Sequence, residues 1–125
     1  MPRRYYTLDE ANALLPTLRR MLAELMEARQ HISEAEPELW EILEKSVRNG
    51  GGKKAGMFLK DFEIVQQNVQ AIDALGIEIK DINSGLIDFW SKRDGREVYL
   101  CWRYGEEEIA HWHEIDSGFA GRQPL

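Results

Sequence analysis

Six side chains between Gly85 and Leu125 have the types and spacing for joint chemistry: Asp88, Cys101, Arg103, His111, His113 and Arg122. Imidazole, thiolate and carboxylate are the donors that zinc prefers. Two histidines one residue apart on a strand point to the same side, about 7 Å apart along the chain. That spacing suits two ligands of one metal. The predicted metal set is therefore His111, His113, Cys101 and Asp88, and a divalent transition metal such as zinc is the cofactor it would take. A nucleophile and base, Cys101 with His111, is a second chemistry for the same residues. A small buried thiol and histidines bonded to a carboxylate or carbonyl is the structural alternative. Asp88 beside Arg103 reads as a cross-strand ion pair. Arg122, with Arg103, is the candidate clamp for a carboxylate, either the protein's own, holding the tail, or that of an anionic ligand.

Strands must position these groups. Leu86–Trp90 and Glu97–Arg103 flank Asp94-Gly95, a strong two-residue hairpin signal. A two-residue turn there puts Asp88 opposite Cys101. One face then carries Ile87, Phe89, Val98, Leu100 and Trp102, and the other Asp88, Trp90, Tyr99, Cys101 and Arg103. A third strand, 109–114, follows a turn around Gly105, and a slip of one residue flips its whole face. A loop of Gly105-Glu106-Glu107 aligns His111 and His113 with Asp88 and Cys101. A two-residue loop puts both histidines on the apolar face. The first separates apolar from polar more cleanly and is the expected register.

Helices must carry that sheet. Thr7 and Glu10 form a capping box at the start of a first helix. Ala11, Leu15, Leu18, Leu22, Leu25, Ile32, Leu39 and Leu43 continue in three-four steps, the spacing of a helix packed lengthwise on another. Pro16 or Pro37 should kink it. Asn49-Gly50-Gly51-Gly52 is a stop signal. A second helix, about Gly56 to Leu75, carries Phe58, Phe62, Val65, Val69 and Ile72, and Gly76 fits the cap position after it. The alternation at 77–80 reads as a short strand. The predicted fold is α+β in one domain, 1–125. A long antiparallel helical hairpin (7–75) precedes a three-stranded antiparallel β-meander (77–116) and a coiled tail (117–125).

Composition narrows the function. The net charge of −6 excludes general nucleic-acid binding, which needs a basic surface. The stretch 85–125 holds five Lys/Arg against eight Asp/Glu, so it is not locally basic either. A single cysteine forms no internal disulfide and fits a reducing cytosol. MPRRYYTLDE lacks the apolar stretch of a signal peptide. No apolar run approaches the roughly 20 residues of a membrane span. The loop NGGGKKAG (49–56) lacks a P-loop pattern and reads as an interhelical turn.

The segments YTLDEANALLP, GLIDF, GREVYLCWRYGE, WHEID and GFAGRQPL resemble the DUF2203 family of uncharacterised bacterial and archaeal proteins, over nearly the whole chain. The resemblance implies a small cytosolic protein. It carries over no reaction, cofactor or catalytic residue. With no complete catalytic motif in the chain, the leading expectation is a cytoplasmic, non-enzymatic binding or oligomeric interaction module. It would self-associate through its helices, with a protein partner or small ligand and without nucleic acid or membrane. The alternative is a metal-binding protein or metal-dependent enzyme using the His/Cys/Asp cluster.

Overall fold

A computed structural model describes residues 3–50 and 52–125. Met1 and Pro2 of the N-terminal stretch, and Gly51 of the glycine stop signal, lie outside the described residues.

Helix α1 runs from Leu8 to Ala35. The capping box forms as its residues predict: Thr7 Oγ1 accepts from Glu10 N–H at 3.1 Å, and Thr7 N–H donates to Glu10 Oε1 at 2.8 Å. Of the two prolines expected to interrupt this helix, Pro16 lies within an unbroken α1 and Pro37 marks the break. Glu36 leaves helical geometry (φ −142°, ψ 84°) because a residue before proline is pushed out of the α region. Pro37 then opens helix α2, Pro37–Lys45, at the position where its missing N–H costs nothing.

The second long helix, α3, spans Leu59–Ala74. It starts later than the spacing suggests. Gly56 (φ 56°, ψ −125°) breaks the preceding 3₁₀ turn, Gly52–Phe58, and cannot join an α-helix. Gly76 (φ 78°) closes α3, its N–H donating to the Asp73 carbonyl. Helices α1 and α3 run antiparallel, since Asn68 bonds Glu24 while Asp61 meets His31. The α1 stripe Ala11, Leu15, Leu18, Leu22, Leu25, Ala28 and Ile32 is buried along its length. Among the described residues, no helix is long and apolar enough to cross a membrane.

Among the described residues the sheet has five antiparallel strands in sequential order, not three. They are β1 (Ile77–Asp81), β2 (Leu86–Arg93), β3 (Arg96–Arg103), β4 (His111–Glu114) and β5 (Gln123–Pro124). The IEIK strand pairs with β2, and the expected coiled tail returns as β5 beside β4. Asp94 (φ 52°) and Gly95 (φ 80°) make the two-residue turn between β2 and β3, both in the left-handed region that such hairpins require. One face, carrying Ile77, Ile87, Phe89, Leu100, Trp102 and Trp112, joins the helical stripe in a common core. Tyr6 fastens the start of α1 to this sheet. Its N–H donates to the Trp90 carbonyl at 2.8 Å, and its ring meets Phe89 edge-on.

Two turn residues hold the layers together. Asn83 Oδ1 accepts from Trp40 Nε1 on α2 and from Arg29 Nε on α1, and Asn83 Nδ2 donates to Glu44. Gly85 (φ 69°) lies so close to Tyr104 that an added Cβ would sit 2.7 Å from the Tyr104 Cβ. Gly85→Ala therefore combines a left-handed backbone with a steric clash. Its expected cost is more than about 1 kcal/mol in urea unfolding, and a neutral result would contradict this packing.

Candidate functional site

The residues singled out by their chemistry lie on the other face of the sheet. Strand pairing sets Asp88 opposite Cys101, Cys101 opposite His111, and Tyr99 opposite His113. The register is the one that a Gly105-Glu106-Glu107 loop requires, although β3 and β4 separate earlier and residues 104–110 form the connection. The backbone row Asp88, Cys101, His111 thus exists.

The side chains converge differently. His113, not His111, turns into the row. Its Nε2 lies 3.0 Å from both Asp88 carboxylate oxygens. The donor atoms of Asp88, Cys101 and His113 lie within 4.8 Å of one another, and all three residues are buried. His111 instead faces Glu106, Nδ1 to Oε2 4.0 Å, and that buried nitrogen has no hydrogen-bond partner among the described residues. The difference comes from the neighbours. His113 Nδ1 is held 2.7 Å from the Glu114 carbonyl, which aims Nε2 at Asp88.

These contacts determine the protons. A carbonyl only accepts, so Nδ1 carries a hydrogen. Nε2 and a carboxylate oxygen 3.0 Å apart require a hydrogen between them. Asp88 and His113 therefore share one proton. Burial is the largest influence on Asp88 and raises its carboxyl above the ordinary value, against the pull of His113, Cys101 and Lys80. Burial also pushes the Cys101 thiol up to about 12, helped by the Asp88 charge and only partly offset by Arg122. A thiol at that value is neutral at physiological pH, unlike an activated nucleophile.

A second polar group covers the same face nearer β1. Tyr99 Oη donates to Glu78 Oε2 at 2.8 Å, and Lys80 Nζ donates to Glu78 Oε1 at 2.9 Å. The Trp90 ring packs against Tyr99 at a tilt, with centroids 4.5 Å apart, and the Arg3 guanidinium lies 3.6 Å over Trp90. Burial acts against the Glu78 charge, but the bonds from Lys80, Tyr99 and Trp90 outweigh it and hold the carboxyl below its usual 4.5. A carboxyl lowered in the folded state adds stability above its unfolded value, and loses that contribution as pH falls through the folded value. Glu78→Gln should therefore be less stable than wild type at pH 7, by less than about 1 kcal/mol for a partly exposed group. The gap should close on acidification below 4.5. Urea midpoints at the two pH values check this, and a gap that widens in acid would refute it.

Arg122 clamps the tail. Its Nη1 donates to both Glu106 carboxylate oxygens, at 3.0 and 3.1 Å, and Glu106 Oε1 also accepts the Arg103 backbone N–H at 2.7 Å. The predicted Asp88–Arg103 ion pair does not form. Arg103 stands opposite Leu86, two residues along from Asp88, and its guanidinium lies 5.0 Å from the Phe119 ring. Arg122 approaches the same ring at 4.3 Å. Glu106 and Glu78 are absent from the predicted set. The first sits in what reads as a tight turn, and the second belongs to a strand that the three-stranded reading leaves unpaired. The shallow cleft of about 330 Å³ beside α1 and α3 is lined by Glu24, Glu27, His31 and Asp61, and by none of the convergent trio.

The sequence model of a family described as "Uncharacterized conserved protein (DUF2203)" matches residues 4–125. The chain belongs to the DUF2203 family. No curated protein and no solved structure shows a significant match. In this DUF2203 protein the matched region includes helices α1 to α3, strands β1 to β5 and the trio Asp88, Cys101 and His113.

Proposed function

We propose that this DUF2203 protein is a non-enzymatic binding protein whose binding element is the polar face of its sheet. The observation that supports this reading is the engagement of His113. One nitrogen is committed to the Glu114 carbonyl and the other to Asp88, so His113 is not free to act as a base toward Cys101. Cys101 is itself only 1% exposed, which withholds it from a substrate. Burying three polar side chains costs free energy unless each finds a partner, and a binding role gives a reason for keeping them together. The test is alkylation of Cys101 by iodoacetamide at neutral pH, in native and in urea-unfolded protein. Protection of about 100-fold or more is expected for a group exposed only through opening of the fold. Native reaction as fast as in the unfolded chain would overturn the non-enzymatic reading.

Self-association through the helices is the second reading. The buried α1 stripe is used within the monomer and does not support it. Its support is Ile42, Met57 and Leu59, which flank the glycine loop and are 50%, 88% and 44% exposed. Light scattering at micromolar concentration decides it: a dimer or larger species is expected, and a monomer ends the idea.

A further inference from the structure

We propose that Asp88, Cys101 and His113 form a binding site for one divalent transition-metal ion of the zinc class. This rests on the binding role proposed for the polar face and names what that face takes.

Four observations carry it. The first is the donor set: one carboxylate, one thiol and one imidazole, which together suit zinc or cobalt rather than the all-oxygen preference of magnesium and calcium. The second is spacing. Metal–ligand distances of about 2.0–2.3 Å place tetrahedral donors roughly 3.5 Å apart. The Asp88–His113 separation is 3.0 Å, and all three donor atoms fall within 4.8 Å of each other. Small side-chain shifts would close that difference.

The third is the outer support of the histidine. Histidines that ligate metals hold their other ring N–H on a carbonyl or carboxylate, which fixes the ring and its tautomer. Glu114 already supplies that carbonyl to His113, leaving Nε2 as the coordinating atom. The fourth is charge. Without metal, the trio holds two displaceable protons, one shared by Asp88 and His113 and one on the Cys101 thiol, and its net charge is zero. A divalent ion that displaces both protons leaves the net charge at zero again. A buried site tolerates that exchange, whereas an uncompensated charge there would be costly. Three protein donors leave one coordination position for water or a further ligand.

The three ligand side chains are buried, so metal is offered in two ways. Protein prepared without a histidine tag and freed of metal by chelation receives cobalt(II) or zinc(II), once in the native state and once during refolding from urea. Cobalt bound to a thiolate absorbs in the near ultraviolet through sulfur-to-metal charge transfer. Cys101 is the only cysteine, so this band in the wild-type protein identifies its ligand without any variant. One equivalent of cobalt with that band is the expected result. Cys101→Ser should abolish the band, and His113→Gln should weaken zinc binding by at least about 10–100-fold. His111→Ala should keep both the band and the affinity. Should the ligand variants fail to fold, the wild-type spectrum and His111→Ala still decide the matter. Absence of the band under both loading conditions would overturn the metal site, as would its loss in His111→Ala alone. Such a protein with Cys101 still protected from iodoacetamide would retain the binding reading. A rapidly alkylated Cys101 would remove that reading as well.

Discussion

Asp88→Ala should destabilise the metal-free protein by about 3–5 kcal/mol, the scale for removing one partner from a buried pair. His113 is 2% exposed, and its Nε2 has the two Asp88 oxygens as its partners. After truncation that nitrogen faces a small cavity in low dielectric. The loss comes from the stranded imidazole as much as from the missing bond. A double-mutant cycle separates the two. Asp88→Ala combined with His113→Ala should cost less than the sum of the single changes, with a coupling of about 1–3 kcal/mol. Urea unfolding of chelated protein, followed by far-ultraviolet circular dichroism, supplies all four values. A single-variant loss below about 1 kcal/mol, or strict additivity, would mean that the pair is hydrated and not buried as described.

Trp102→Ala should cost a similar amount, about 3–5 kcal/mol, for a different reason. Trp102 is fully buried on the helix-facing side, pairs across the strand with Ile87, and donates its indole N–H to the Glu106 carbonyl at 3.1 Å. Alanine would leave a large apolar cavity and remove the indole partner of that carbonyl. It would also loosen the 104–110 connection that carries Glu106, and with it the Arg122 clamp. Trp102→Phe should restore most of the packing but not the hydrogen bond, and should fall between the two. A total folding stability of about 5–15 kcal/mol makes either alanine change a large fraction of the whole. If Trp102→Phe proved as damaging as Trp102→Ala, the indole hydrogen bond would outweigh packing, contrary to this account.

The fold is legible where local chemistry decides it. Asp94-Gly95 sets the β2–β3 register because both residues adopt positive φ, and that register alone places Asp88 opposite Cys101. Thr7 and Glu10 set the start of α1 through bonds three residues apart. The stripe from Ala11 to Ile32 identifies the buried face of α1. Strand β5 escapes such reasoning because two residues, Gln123 and Pro124, have no periodicity to read. The exchange of His111 for His113 escapes it too. Both project from one face with the same spacing, and the selection depends on the Glu114 carbonyl and on Glu106, contacts that no alternation pattern encodes.

Strand β5 has a further consequence for how copies of the chain behave toward each other. An open sheet edge offers its unpaired amides to any passing strand. Leu125 N–H points inward to the Ala110 carbonyl, and residues along a strand alternate in direction. The amide at position 124 would therefore point outward, and proline has none to offer. At the opposite edge, the bulge between Ile79 and Asp81 breaks the regular ladder, and Lys80 sets a charge there. Both borders of the sheet are thus poor templates for strand addition, so a five-stranded sheet with its margins in water is protected against fibrous aggregation.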